Sequence, residues 1–220
     1  MKNTPLASKN CPLCLTADPQ PFHEDLNRSY LRCETCQLAF VPSEEHLSHE
    51  EEKIRYDMHE NSHDNKGYRE FLSRLFTPLQ ERLNPAGSGL DFGSGPGPVL
   101  SDMLREAGHS MTIYDPYFAH DPDVLNRQYD FITATEVVEH LCHPGTELER
   151  LWTCLKPGGL LGVMTKLVLD KESFSRWHYI RDLTHVSFFS KATFRWLSAH
   201  WDAHLTFIGT DVMLFRKTSI

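Results

Sequence analysis

Apolar residues recur every four positions between Gly67 and Leu83, where Phe71, Leu75, Leu79 and Leu83 share one face beside Leu72 and Phe76. That spacing predicts an amphipathic helix ending ahead of Pro85 and Gly87. Short apolar runs and helical periods then alternate. Gly89 to Phe92 reads as a buried strand, and Pro98 to Ala107 as a helix with Val99, Leu100, Met103, Leu104 and Ala107 turned inward. Ser110 to Tyr114 and Tyr129 to Thr135 read as two more strands. Leu148, Leu151, Trp152 and Leu155 mark a helix closed by Lys156-Pro157-Gly158-Gly159, with a strand from Leu160 to Thr165 behind it. Ser190 is placed to cap a helix with Phe194, Leu197 and Trp201 on one face. Two last strands, near His204 to Ile208 and Asp211 to Arg216, predict a hairpin. Alternation in this order predicts an α/β fold, a mostly parallel sheet with helices on both faces. Ligands on such sheets bind beyond the carboxyl ends of the strands.

The first third of the chain has no such rhythm. Within residues 1–42, taken as one small module, the stretch 8–42 is turn-rich, with two tight cysteine pairs, Cys11-Pro12-Leu13-Cys14 and Cys33-Glu34-Thr35-Cys36, and apolar Leu38, Phe40 and Val41 after the second. Two such knuckles at this separation predict a zinc ribbon, with Cys11, Cys14, Cys33 and Cys36 as tetrahedral ligands. Four sulfurs leave no open coordination position, so the zinc is expected to be structural. Leu15 and Gln37 stand where knuckles often place glycine. Residues 43–66 are acidic and carry His46, His49, His59 and His63; they read as a connector with a solvated, charged helix face. Residues 67–220 form the main domain. The two lone cysteines, Cys142 and Cys154, are expected to be small buried residues.

Composition narrows the function. A formal net charge of −8 over 220 residues, with no cluster of Lys and Arg, argues against a nucleic-acid footprint. No apolar run approaches a membrane span, and Met1 to Asn10 lacks the apolar core of a signal peptide, so a cytoplasmic location without a membrane partner is expected.

The chemistry gathers after the first main-domain strand, in Leu90-Asp91-Phe92-Gly93-Ser94-Gly95-Pro96-Gly97. Glycines let the backbone turn sharply and approach a ligand closely. Here they fall at 93, 95 and 97, unlike the dinucleotide pattern, and an acid two residues before the first repels phosphate and attracts an amine. A second acid, Asp115, closes the next strand, where a carboxylate accepts from ribose hydroxyls. This run, with Tyr129-Asp130-Phe131-Ile132, Glu136-Val137-Val138-Glu139-His140, Leu155-Lys156-Pro157-Gly158-Gly159 and Asp182-Leu183-Thr184-His185-Val186-Ser187-Phe188-Phe189-Ser190, closely resembles the class I S-adenosylmethionine-dependent methyltransferases. The resemblance runs from Gly89 to the C-terminus. It implies a Rossmann-like sheet whose last strand is antiparallel and S-adenosylmethionine as cofactor. It places Asp91, Gly93, Ser94, Gly95, Gly97, Asp115, Pro116, Thr135 and Glu136 around that cofactor. Residues 116–128 are too few for the usual helix, strand and adenine loop, so the third strand is expected to be missing. Tyr117 and Phe118 are candidates to stack on adenine.

Glu136, Glu139 and His140 resemble a cation-binding constellation of ubiquinone-biosynthesis O-methyltransferases, but the same string occurs in class I enzymes without metal. The favoured reading has Glu136 border the pocket while Glu139 and His140 make local hydrogen bonds. His185, Tyr179 and Glu136 are the candidate catalytic groups, and Trp177 to Phe189 the candidate acceptor wall, with His185 suited to general-base work. Together these features point to a methyltransferase of a small molecule, acting on oxygen, nitrogen or carbon. An rRNA or tRNA methyltransferase gripping RNA through the ribbon, and a non-catalytic cofactor-binding adapter, are the alternatives.

Overall fold

The computed structural model describes residues 10–57 and 66–219. His59 and His63 of the connector and the first nine residues of the ribbon segment lie outside them. The N-terminal third holds β1 (Gln20–Glu24), β2 (Ser29–Arg32), β3 (Ala39–Phe40) and α1 (His49–Tyr56). After it come α2 (Lys66–Gln80), β4 (Ser88–Phe92), α3 (Val99–Glu106), β5 (Ser110–Tyr114), β6 (Tyr129–Thr135), α4 (Pro144–Cys154) and β7 (Leu155–Met164). A short α5 (Lys171–Ser175), β8 (Ser187–Phe188), α6 (Lys191–His200), β9 (His204–Ile208) and β10 (Val212–Arg216) complete the chain.

The main sheet has six strands in the order β5-β4-β6-β7-β10-β9. β5, β4, β6 and β7 run parallel, while β10 pairs antiparallel with both β7 and β9. The third strand is absent, as the short stretch after Asp115 predicts; a 3₁₀ turn over Pro122–Asn126 fills its place in the chain. The period-2 pattern sorts the core into two layers. Phe131, Leu160, Met164, Val212 and Leu214 face α2 and α3, whereas Ile132, Ala134, Leu161, Val163, Met213 and Phe215 face α4 and α6.

Three elements depart from the sequence expectation. The helix predicted to reach Leu83 runs through Pro78 and ends at Gln80, where it tightens into a turn: Glu81 donates to the Thr77 carbonyl and Arg82 to the Leu79 carbonyl, three residues back. Lys156 to Gly159 do not terminate a helix ahead of a new strand. They form a bulge within β7, between the pairs Tyr129–Leu155 and Phe131–Leu160, with Gly158 at φ +75°. Cys154 is buried, as expected, its Sγ on the Leu125 carbonyl, but Cys142 is exposed: it sits on the loop before α4, away from either apolar layer.

The ribbon shares its core with the main domain. β1, β2 and β3 form a four-stranded sheet whose fourth member is β8, from the far end of the sequence. Cys11, Leu13, Cys33, Cys36, Leu38 and Phe40 lie in the same apolar cluster as Leu90, Ile132, Leu148 and Leu161. The knuckle backbone also docks on α4, where the Gly145 amide donates to the Pro12 carbonyl at 3.2 Å and a Cβ on Gly145 would collide with Leu13.

Candidate active site

The carboxyl ends of β4, β5 and β6 open on a cavity of about 710 Å³. Its near wall is the glycine loop. Gly93 and Gly95 adopt φ of +74° and +63°, and a side chain on Gly93 would strike Val137. The loop is tied to β5 by its own amides: Gly93 and Ser94 donate to the Tyr114 carbonyl at 2.8 and 3.2 Å, and Gly95 donates to Asp115 Oδ2 at 2.9 Å. Asp115 Oδ1 accepts from the amides of Tyr117 and Phe118, at 2.8 and 3.0 Å. This buried carboxylate therefore fixes two loops while lining the cavity between them.

Gly93, Ser94, Gly95, Asp115, Pro116, Thr135, Glu136 and His185 all line this one space. Asp91, Gly97 and Tyr179 do not; they sit behind it. The Asp91 carboxylate is buried and accepts from Thr133 Oγ1 at 2.7 Å and Ser101 Oγ at 3.1 Å, and burial pushes it up to about 6. Gly97 is buried at the start of α3, its carbonyl bonded to the Val99 amide. The Tyr179 hydroxyl donates to Glu139 and lies 3.3 Å from Thr165 Oγ1. Glu136 holds φ +53°, in the left-handed region uncommon for residues with a side chain, a conformation that clusters at functional sites. Burial and the neighbouring Glu139 charge push its carboxyl up to about 8. His185 donates Nδ1–H to the Tyr179 carbonyl at 2.8 Å, and burial lowers its pKa.

Sequence reasoning missed the roof. His49, Glu52 and Tyr56 of α1, from a stretch read as solvated connector, line the cavity together with Tyr68 and Phe71 of α2. The Tyr117 hydroxyl donates to Glu52 at 2.6 Å, and its ring stacks on His49 at 4.9 Å. A capping box joining Ser48 and Glu51 starts α1, and this motif was legible in the sequence. Also missed was Arg28 of the ribbon. It is buried and donates to the carbonyls of Ile180, Asp182 and Leu183 at 2.9, 2.9 and 3.0 Å, so the ribbon grips the segment carrying His185.

Both expected ligand groups pass a test against these residues. Thr135 Oγ1, at the end of β6, is buried without a hydrogen-bond partner in a residue lining the cavity, as befits a wall built for a polar ligand. In the ribbon the sulfurs of Cys11 and Cys36 are 3.5 Å apart, those of Cys14 and Cys33 3.4 Å apart, and all four lie within 4.8 Å. Tetrahedral zinc with bonds of about 2.3 Å sets its sulfurs about 3.8 Å apart, so the set fits. Leu15 and Gln37 each adopt φ of 61°, so the knuckles keep their glycine-type turns without glycine.

A glycine loop, an acid closing the second strand and a sheet of this order define a class I, Rossmann-like methyltransferase. The chain belongs to the methyltransferase-domain family, whose pattern matches residues 61–203. Over 107 residues it is 34% identical to the biotin biosynthesis bifunctional protein BioCD of Bordetella avium (strain 197N). That match covers 47% of this chain and 21% of the relative, so the chain spans well under two thirds of that protein's length. Its fold is similar to that of Burkholderia thailandensis 1,6-didemethyltoxoflavin-N1-methyltransferase, solved with 1,6-didemethyltoxoflavin and S-adenosylhomocysteine (TM-score 0.50, 17% identity, 91% of this chain and 100% of that one). It is also similar to a putative methyltransferase in complex with the Haloferax volcanii Trm112 methyltransferase activator (TM-score 0.52, 14% identity, 70% and 93%). At these identities the likeness is one of fold. No helix among the described residues is long and apolar enough to cross a membrane.

Proposed function

We propose that this chain transfers the methyl group of S-adenosylmethionine to an oxygen, nitrogen or carbon atom of a small molecule. One observation carries the reading: a single cavity of about 710 Å³ joins the glycine loop and Asp115 to a second wall containing Tyr68, Phe71, Glu136, His140 and His185. That volume suits a cofactor with a small acceptor, and the net charge of −8 disfavours a polyanion. In this reading residues 1–42 are a structural zinc ribbon, 43–66 a connector whose helix α1 roofs the site, and 67–220 the catalytic domain.

The cofactor supplies an activated methyl group; binding, alignment and exclusion of water fall to the protein. Gly93, Ser94 and Gly95 bring backbone against its methionyl end, Asp115 and Pro116 hold the ribose, and Thr135 and Glu136 close the opposite edge. Asp91 and Gly97 hold the loop from behind. Because its Nδ1 carries the proton, His185 keeps its lone pair on Nε2 and can receive an acceptor's proton, as can ionised Glu136. Tyr179 acts at one remove, by orienting Glu139. The test is transfer of labelled methyl groups into fractionated cell extract. Label should enter the small-molecule fraction and fall in His185→Ala, with S-adenosylhomocysteine affinity unchanged. Label confined to RNA, or turnover untouched by His185→Ala, contradicts the reading.

A further inference from the structure

Where the cavity meets the acceptor wall, three groups with metal-ligand chemistry converge from two distant parts of the chain. Glu139 and His140 lie in the turn after β6, and His185 precedes β8. Each offers a ligand atom, and all three atoms lie within 4.8 Å of one another. This set differs from the Glu136, Glu139 and His140 constellation weighed in the sequence: in the fold His185, not Glu136, joins Glu139 and His140.

The surrounding hydrogen bonds prepare these residues to coordinate. His140 Nδ1 lies 3.2 Å from the Thr184 carbonyl, and His185 Nδ1 lies 2.8 Å from the Tyr179 carbonyl. A carbonyl oxygen only accepts, so both bonds put the proton on Nδ1 and the lone pair on Nε2. Metal-bound histidines are typically oriented by just such a bond from the other ring nitrogen. Glu139 is buried and accepts from Tyr179 and Thr165, on Oε1 and Oε2 respectively. Each carboxylate oxygen has two lone-pair directions, so these bonds aim the group and leave it able to bind an ion. His140 and His185 line the cavity, which would direct the remaining coordination positions towards an acceptor.

We propose that Glu139, His140 and His185 form a site for a divalent first-row cation such as manganese, iron(II) or zinc, open on the acceptor side of the cavity. Two imidazoles and one carboxylate favour such ions over magnesium, which prefers a shell of oxygens. An oxygen donor of the acceptor would complete the shell. With His185 engaged, Glu136 is the group left to take the acceptor's proton. This last role rests on the methyltransferase reading above; binding of the ion does not.

The probe is Mn²⁺, which competes poorly for a four-thiolate ribbon. Tag-free full-length protein is titrated and free Mn²⁺ followed by its electron paramagnetic resonance signal. Wild type should take up about one Mn²⁺ per chain. His140→Ala/His185→Ala and, separately, Glu139→Gln should weaken uptake about tenfold or more, with S-adenosylhomocysteine binding retained as the sign of an intact fold. Wild type that takes up no Mn²⁺, or variants that bind it like wild type, would overturn the site. Mn²⁺ bound by a protein that fails to bind S-adenosylhomocysteine would leave the site standing and count against the methyltransferase reading instead.

Discussion

Arg28 offers the sharpest test of how the ribbon serves the catalytic domain. The residue is 5% exposed. It donates to the carbonyls of Ile180, Asp182 and Leu183 and, through Nε, to the Tyr30 hydroxyl at 3.1 Å. Arg28→Met keeps the apolar stem but leaves three carbonyls of the 180–183 turn without this donor. Hydrogen bonds from a charged donor contribute about 1.5–3 kcal/mol each and are not additive, and removing one partner of a buried charged network costs about 3–5 kcal/mol. For a chain of this size that corresponds to a Tm lower by roughly 6–20 °C. His185 hangs from the same turn through the Tyr179 carbonyl, so methyl transfer should fall further than S-adenosylhomocysteine affinity, which depends on the opposite wall. Calorimetric unfolding together with turnover and binding assays checks both parts. A loss below about 1 kcal/mol, or equal loss of binding and turnover, would refute the proposed grip.

Two further outcomes are expected. After a mild chelator wash, purified protein should retain one zinc, lost in Cys33→Ser/Cys36→Ser; because these cysteines sit in the shared core, that variant should destabilise the whole domain and not the ribbon alone. Asp91 has its carboxyl raised by burial from 3.8 to about 6, so its contribution to stability is present below pH about 4 and is lost as pH rises towards about 6. Denaturant unfolding of wild type against Asp91→Asn should show the wild type's relative stability declining through that window, and a pH-independent difference would contradict the assignment.

Much of the fold could be read from the chain, because most strands of the main sheet carry a short apolar run, with breakers in the segments that join them. β5, β6 and β9 match their sequence bounds, and the missing third strand follows from chain length alone. The glycine loop and the cysteine knuckles were legible because their chemistry is local. What escaped depends on long-range approach. Arg28 and Ile180 are remote in sequence, and nothing near either announces the contact. The polar α1 looks like a solvated helix until Tyr117 is seen against His49 and Glu52. The sequence sets Asp91 on the cofactor's amine and Tyr179 among the catalytic groups, yet neither lines the cavity. Only the fold shows that the hydroxyls of Thr133 and Ser101 hold the first, and that the second is turned away onto Glu139.

The central claim is that the cavity between the glycine loop and β6 holds S-adenosylmethionine, with Asp115 on its ribose. Isothermal titration of S-adenosylhomocysteine into wild type and Asp115→Ala tests it most directly, with circular dichroism to confirm that the variant folds. The account predicts saturable binding to wild type and a loss of about 1–3 kcal/mol in the variant, the scale of hydrogen bonds to a charged group. Absence of binding to wild type, or equal affinity in the folded variant, would contradict it.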